Sequence, residues 1–144
     1  MIRISLVRAA TTIAAFACVA LAHAQAVTVA DVLAIHSVIY RQMDALRRGN
    51  AGEAFLLTSP GIRQAFKTPE NFMRDVRNQF TPLIRPSALA FSTLMIFDDD
   101  VIQQVRITDE SRLTWSAHYP MQRQKDGSWR TNGCRLVRNA LVSV

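Results

Sequence analysis

The chain is 144 residues long, 49% hydrophobic, and carries 17 Lys and Arg against 11 Asp and Glu. That length bounds one domain with enough interior to be held by an ordinary apolar core. Its arginines are scattered through every predicted element rather than gathered in a run, which speaks against a nucleic-acid-binding tract and describes a solvated, soluble surface.

Residues 1–26 read as a secretory signal, with Arg3 and Arg8 ahead of an apolar run from Ile13 to Leu21 and small residues at Ala22, Ala24 and Ala26. The run is shorter than the about 20 apolar residues of a membrane anchor, and cleavage is expected after Ala24 or Ala26. Cys18 is a poor lipid acceptor, because Phe16 puts an aromatic where a small residue is wanted. The expected product, residues 27–144, is a single periplasmic or secreted domain with no stable membrane span and no nucleic-acid partner. Taking away Arg3 and Arg8 leaves 15 basic against 11 acidic residues, a formal charge of +4. Cys134 is then the only cysteine, so no intramolecular disulfide is available in a compartment that permits them.

The next segment is helical. Thr28 and Asp31 form something close to a capping box, and Val32, Ile35, Ile39, Met43 and Leu46 recur at spacings of three and four on one buried stripe. Arg47 and Arg48 suit the negative end of the helix and Gly49 closes it. Asn50 with Glu53 caps a short second helix carrying Ala54, Phe55 and Leu57. Ser59-Pro60 and Thr68-Pro69 each pair a capping side chain with proline at the first helical position, opening a turn to Phe66 and a helix to about Gln79. Phe72, Val76 and Phe80 line the buried side of the latter.

After Pro82 and Pro86 the hydrophobic period changes from 3.6 to 2. Strands are expected at about 88–97, 101–107, 112–123 and 128–138, separated by Asp98-Asp99-Asp100, Thr108-Asp109-Glu110-Ser111 and Lys125-Asp126-Gly127. In the third strand Trp115, Ala117, Tyr119 and Met121 share one face, and Ser116, His118 and Gln122 the other. A three-residue Lys125-Asp126-Gly127 loop sets Trp129 opposite Arg123 and beside Met121, with Gly127 left-handed. Strict alternation beyond Thr131 buries Arg135; a bulge at Gly133 instead turns Cys134 and Leu136 inward. The fold class that follows is α+β, with the N-terminal helices packed on one face of a curved four-stranded antiparallel meander.

Several local patterns are familiar together: Ser59-Pro60 with Ile62 and Phe66, Thr68-Pro69-Glu70 with Phe72, Arg85-Pro86 with Phe91, Tyr119-Pro120-Met121-Gln122-Arg123, and the segment from Asp126 through Trp129 and Arg130 to Gly133-Cys134. The set resembles the exported bacterial proteins of domain of unknown function family 4864, over about residues 35–137. The resemblance implies export and a relative of the nuclear-transport-factor-two-like cone fold, in which helices close one side of a curved sheet and leave a pocket. It implies no activity. Asn50 stands where that pattern has an acidic residue, and Thr131 where it has an aliphatic one.

Cys134 beside a strand that carries His118 suggests a thiolate and its base, but the register places the two on opposite faces, and a buried structural cysteine is expected. His36, Tyr40 and Asp44 step along the first helix as a polar row. His36 and Asp44 are separated by about 12 Å of rise, too far for a direct hydrogen bond. An isomerase or hydrolase running on that row is the weakest of three readings. Asp98-Asp99-Asp100 lacks the glycine and closing glutamate of a calcium loop, and no zinc spacing or phosphate loop is present, so no metal or cofactor is expected.

The leading expectation is a non-enzymatic domain that binds a small apolar or anionic molecule in a cleft between the first helix and the sheet, of about 300 Å³ or more. The candidate pocket comprises His36, Tyr40, Asp44, Phe91, Trp115, Tyr119, Met121 and Trp129, with Met95 on the same inner face. The alternative is an interaction module that meets an envelope protein, or itself, through the outer sheet face at Arg106, His118 and Gln122 with Ile96 and Ile102.

Overall fold

The computed structural model describes residues 26–140. The expected signal segment, apart from Ala26, and with it Cys18, lies outside the described residues. Helix α1 (Val29–Arg47) begins as the sequence dictates: the Thr28 hydroxyl accepts from the Asp31 N–H at 3.2 Å, and the Asp31 carboxylate accepts from the Thr28 N–H at 2.9 Å. It ends at Gly49, whose φ of +71° lets its N–H reach the Leu46 carbonyl at 3.1 Å while Asn50 N–H reaches that of Ala45 at 2.8 Å. Ile35, Ile39, Met43 and Leu46 are buried along the expected stripe, joined by Val38, Gln42 and Ala45.

Helices α2 (Ala51–Leu56), α3 (Pro60–Phe66) and α4 (Pro69–Gln79) start at Asn50, Ser59 and Thr68, each accepting a backbone N–H of the first turn. A further turn, α5 (Thr81–Ile84), follows directly, with Pro82 in its first turn and Leu83 buried. It is short enough that no periodicity announces it, and Pro82 with Pro86 reads as a break.

The strands β1 (Ala88–Phe97), β2 (Asp100–Thr108) and β3 (Thr114–Arg123) form an antiparallel meander, and β4 (Trp129–Thr131) and β5 (Arg135–Arg138) both pair with β3. Strand β3 starts at Thr114 rather than 112, because Arg112 takes φ +63° in the preceding turn. Arg123 pairs with Trp129 and Gly127 has φ +85°, as the three-residue loop requires. Between Thr131 and Arg135 the register slips by one residue at Gly133, φ +100°, so that Ala117 pairs with Leu136 and His118 with Arg135. The fourth strand of the meander is therefore one chain segment cut in two by its bulge.

A second bulge was not legible. Phe91 pairs with Val105 but Leu94 with Gln103, so Ser92 and Thr93 oppose a single residue and every later side chain of β1 changes face. Met95 consequently pairs with Ile102 on the outer face and Ile96 with the buried Val101 on the inner one, the reverse of strict alternation.

The helices cover one face of the open sheet. One core cluster joins Ile35, Ile39 and Met43 of α1 to Val105, Ile107, Ala117, Tyr119, Met121 and Trp129. A second joins Ala45 and Leu46 to Ala54, Phe55, Phe72, Met73 and Val76 of α2 and α4. The link between α2 and α3 is stitched to the outer edge of β4: Thr131 N–H donates to the Leu57 carbonyl at 3.0 Å and Ser59 N–H to that of Thr131 at 2.8 Å. The Ser59 hydroxyl donates to Asn132 Oδ1 at 2.7 Å. Thr131 is buried with its hydroxyl donating to Leu57 O, which explains a threonine at an aliphatic position.

Candidate functional site

Where the two core clusters meet, packing is incomplete. A pocket of about 180 Å³ opens there, walled by Leu46 of α1, Ile62 and Phe66 of α3, Phe72 and Val76 of α4, and Phe80 and Leu83 beyond it, with Tyr119 of β3 and the Thr131–Cys134 bulge as the sheet side. The half-buried Ile62, Phe66, Asp75 and Phe80 leave it accessible from solvent. Aromatic packing fixes the wall: Phe72 sits edge-on to Phe66 with ring centres 5.5 Å apart and tilted against Phe55 at 5.7 Å.

The polar groups of the lining are mostly committed elsewhere. Gln42 Nε2 donates to the Ala54 carbonyl at 3.1 Å, and the Thr58 hydroxyl donates to that of Phe55 at 2.6 Å. Asp75 accepts from Gln79 at 2.5 Å. Two groups remain. Tyr119 is 2% exposed and its hydroxyl has no hydrogen-bond partner among the described residues. The Cys134 thiol lies close enough to interact with it, and sulfur is a weak partner for a hydroxyl. Burial pushes the thiol up to about 12, a rise partly offset by Tyr119, and burial also raises the Tyr119 phenol. Both groups are protonated at neutral pH, so Cys134 is a poor nucleophile and His118, on the outer face with Gln104 and Arg135, is no base for it.

Of the eight residues the sequence singled out, Tyr119 alone lines this pocket. His36 stacks on Phe91 with ring centres 3.9 Å apart and its Nε2 lies 3.1 Å from Gln103 Oε1. Gln103 Nε2 donates to the Ser92 carbonyl at 3.2 Å and to that of Gln104 at 2.8 Å, so its Oε1 is the acceptor and His36 Nε2 the donor. His36 thus anchors α1 to the β1 bulge. Tyr40 is 62% exposed, and Asp44 accepts from Arg47 and Arg48, each at 2.8 Å. The polar row of α1 therefore splits among separate partners and shares no cavity.

Trp115 borders an open groove beside α5 and donates from Nε1 to Asp109 at 2.8 Å. Met121 and Trp129 border another, next to Asp98-Asp99-Asp100. Trp129 Nε1 donates to Asp31 Oδ1 at 2.9 Å, Arg123 Nη2 donates to Asp31 Oδ2 at 2.9 Å, and the Arg123 guanidinium lies 4.8 Å from the centre of the Trp129 ring. The helix cap is also a clamp on the last hairpin.

Sequence reasoning missed most of the pocket wall. It recognised the row Phe72, Val76 and Phe80 as buried and turned Cys134 inward beside Tyr119, but nothing in the pattern shows that these surfaces meet without filling the space between them. No helix among the described residues is long and apolar enough to cross a membrane, and no group of three or more potential metal ligands occurs among them.

A family model described as domain of unknown function (DUF4864) matches residues 28–144. The chain belongs to that family. No curated protein and no solved structure matches it significantly.

Proposed function

We propose that this DUF4864 chain is an exported, non-enzymatic binding domain of the periplasm or extracellular space, holding a small neutral apolar molecule in the pocket between α1, α4 and β3. The observation that carries this reading is the apolar space of about 180 Å³ at the seam of the two buried clusters. That space falls short of the cleft of about 300 Å³ or more expected between α1 and the sheet, so the drug-sized site expected there is not met and any ligand is limited to benzene-like or slightly larger dimensions; an apolar cavity of about 150 Å³ takes benzene. No Lys, Arg or His lines the space, and Asp75 stands at its edge, so the reading favours an apolar ligand over an anionic one. Helices closing one side of an open sheet also support kinship with the cone fold. Thermal unfolding in the presence of toluene tests the proposal. The melting temperature is expected to rise saturably for the wild-type domain and not for Val76→Phe, whose added ring occupies the space. A toluene-independent melting temperature for wild type contradicts it.

A second reading, self-association or docking to an envelope protein, is favoured by β1. This ten-residue edge strand pairs only with β2, carries no charge or proline, and leaves Ile96 53% and Phe97 61% exposed. Light scattering over a wide concentration range decides it: a mass that climbs from monomer supports the reading, and a constant monomer mass with no captured envelope protein removes it.

A further inference from the structure

We propose that the outer face of the sheet, which the helices leave uncovered, docks the domain on an anionic lipid surface through Arg106 and Arg135, with Arg130 in a lesser role. The inference goes beyond the pocket, which lies on the opposite face, and stands whether or not that pocket is filled. Along the sequence the arginines are scattered, but the strand register gathers these three. Arg106 pairs with Ser116, Arg135 with His118 and Arg130 with Gln122, all on the side away from the buried Val105, Ala117 and Tyr119. None of them belongs to either buried cluster.

Charge is sorted between the two faces. Of the chain's 11 carboxylates only Asp100 lies in a strand, at the hairpin tip where β2 begins. The strand arginines turned toward the helices have acidic company: Arg123 meets Asp31 at 2.9 Å, and Arg138, opposite Trp115, lies close enough to Asp109 to interact with it. Arg106 and Arg135 form no ion pair among the described residues. Arg130 is the weaker contributor, since Asp126 of the adjoining turn is near it and the Asp98–Asp100 turn lies beside its partner Gln122. Val137, 39% exposed, completes the row Arg106–Ser116–Val137 and stands two residues from Arg135, so an apolar side chain sits between the two cations. Arg106 and Arg135 are two strands and two residues apart, about 12 Å along the backbone grid. An extended acidic segment running along either strand meets one of them. A plane of lipid phosphates meets both and takes Val137 into its headgroup layer.

Cosedimentation of the domain spanning residues 27–144 with lipid vesicles tests the inference. Phosphatidylcholine vesicles should leave it in solution, and vesicles that also contain phosphatidylglycerol should carry it down, less so as salt is raised. Arg106→Gln and Arg135→Gln are each expected to lower the partition coefficient about 5-fold, and Arg130→Gln by less. Arg74→Gln makes the same charge change on the exposed side of α4 and should lower it by less than about 2-fold. Unchanged melting temperatures verify that these surface variants fold. Equal losses at Arg74, Arg106 and Arg135 would report net charge alone and overturn the inference. Failure to bind the phosphatidylglycerol vesicles overturns it as well, and binding to polyglutamate in their place would assign the face to an acidic protein.

Discussion

Asp31 shows how much one side chain can hold. Its carboxylate caps α1 through Thr28, accepts from the Trp129 indole and pairs with Arg123, and these bonds, led by that from the Thr28 backbone, hold its carboxyl well below the usual carboxylate range. The capping role was legible because Thr28 and Asp31 are three residues apart. The other two partners were not, since nothing local links residue 31 to residues 123 and 129. Trp129 fills the core under that clamp at 3% exposure, so Trp129→Ala should cost about 3 to 5 kcal/mol in urea unfolding, and Trp129→Phe clearly less because it keeps most of the buried area. Cys134 gives a second residue-level prediction. Its raised pKa and half-buried position, rather than the fully buried one expected, predict that a maleimide or disulfide reagent labels the folded domain more slowly than the urea-unfolded chain; equal rates would show an accessible thiolate and refute the structural role.

At the scale of elements, caps and turns were the readable part. Thr28, Asn50, Ser59 and Thr68 mark four helix starts because a short polar side chain there satisfies N–H groups that no helix can satisfy for itself. The Gly127 loop and the Gly133 bulge were readable because one register alone turns Trp129, Cys134 and Leu136 to the inner face together. The β1 bulge was not, since Ser92 and Thr93 carry no glycine signal and the segment after them is apolar on both faces; its freed Ser92 carbonyl is taken up by Gln103, a residue of another strand. Ser59 joins two elements, capping α3 through Ile62 N–H and donating to Asn132 beside the Gly133 bulge. Ser59→Ala should therefore lose about 1 to 2 kcal/mol in chemical denaturation, whereas Ser37→Ala, on the exposed side of α1, should stay within about 0.5 kcal/mol.

For the molecule as a whole, acid response follows from its carboxylates. Asp31, Asp44, Asp109 and Asp126 all titrate below their ordinary values in the fold, held chiefly by hydrogen bonds from Thr28, Arg47, Trp115 and Ser128 respectively. A folded value below the unfolded one means the unfolded chain binds protons first on acidification, so this stabilisation is complete above the unfolded carboxylate range, about pH 4 to 5, and is lost as pH falls below it. Unfolding midpoints measured between pH 7 and 2 should fall along that limb, and Asp31→Asn should lower the neutral-pH plateau while flattening the limb.

The layer arrangement, helices on one face of a meander, was legible from the change of period at Pro82 and Pro86. The pocket was not, because a cavity is a failure of surfaces to interdigitate and leaves no trace in hydrophobic pattern. The measurement that addresses that pocket most directly is a methyl-resolved 13C NMR titration of the domain spanning residues 27–144 with toluene. Saturable shifts confined to Leu46, Ile62, Val76 and Leu83 are expected, with Val29 and Val137 on the exposed surface unmoved. Silent pocket methyls at saturating toluene, or shifts spread evenly over surface and interior, would contradict the account.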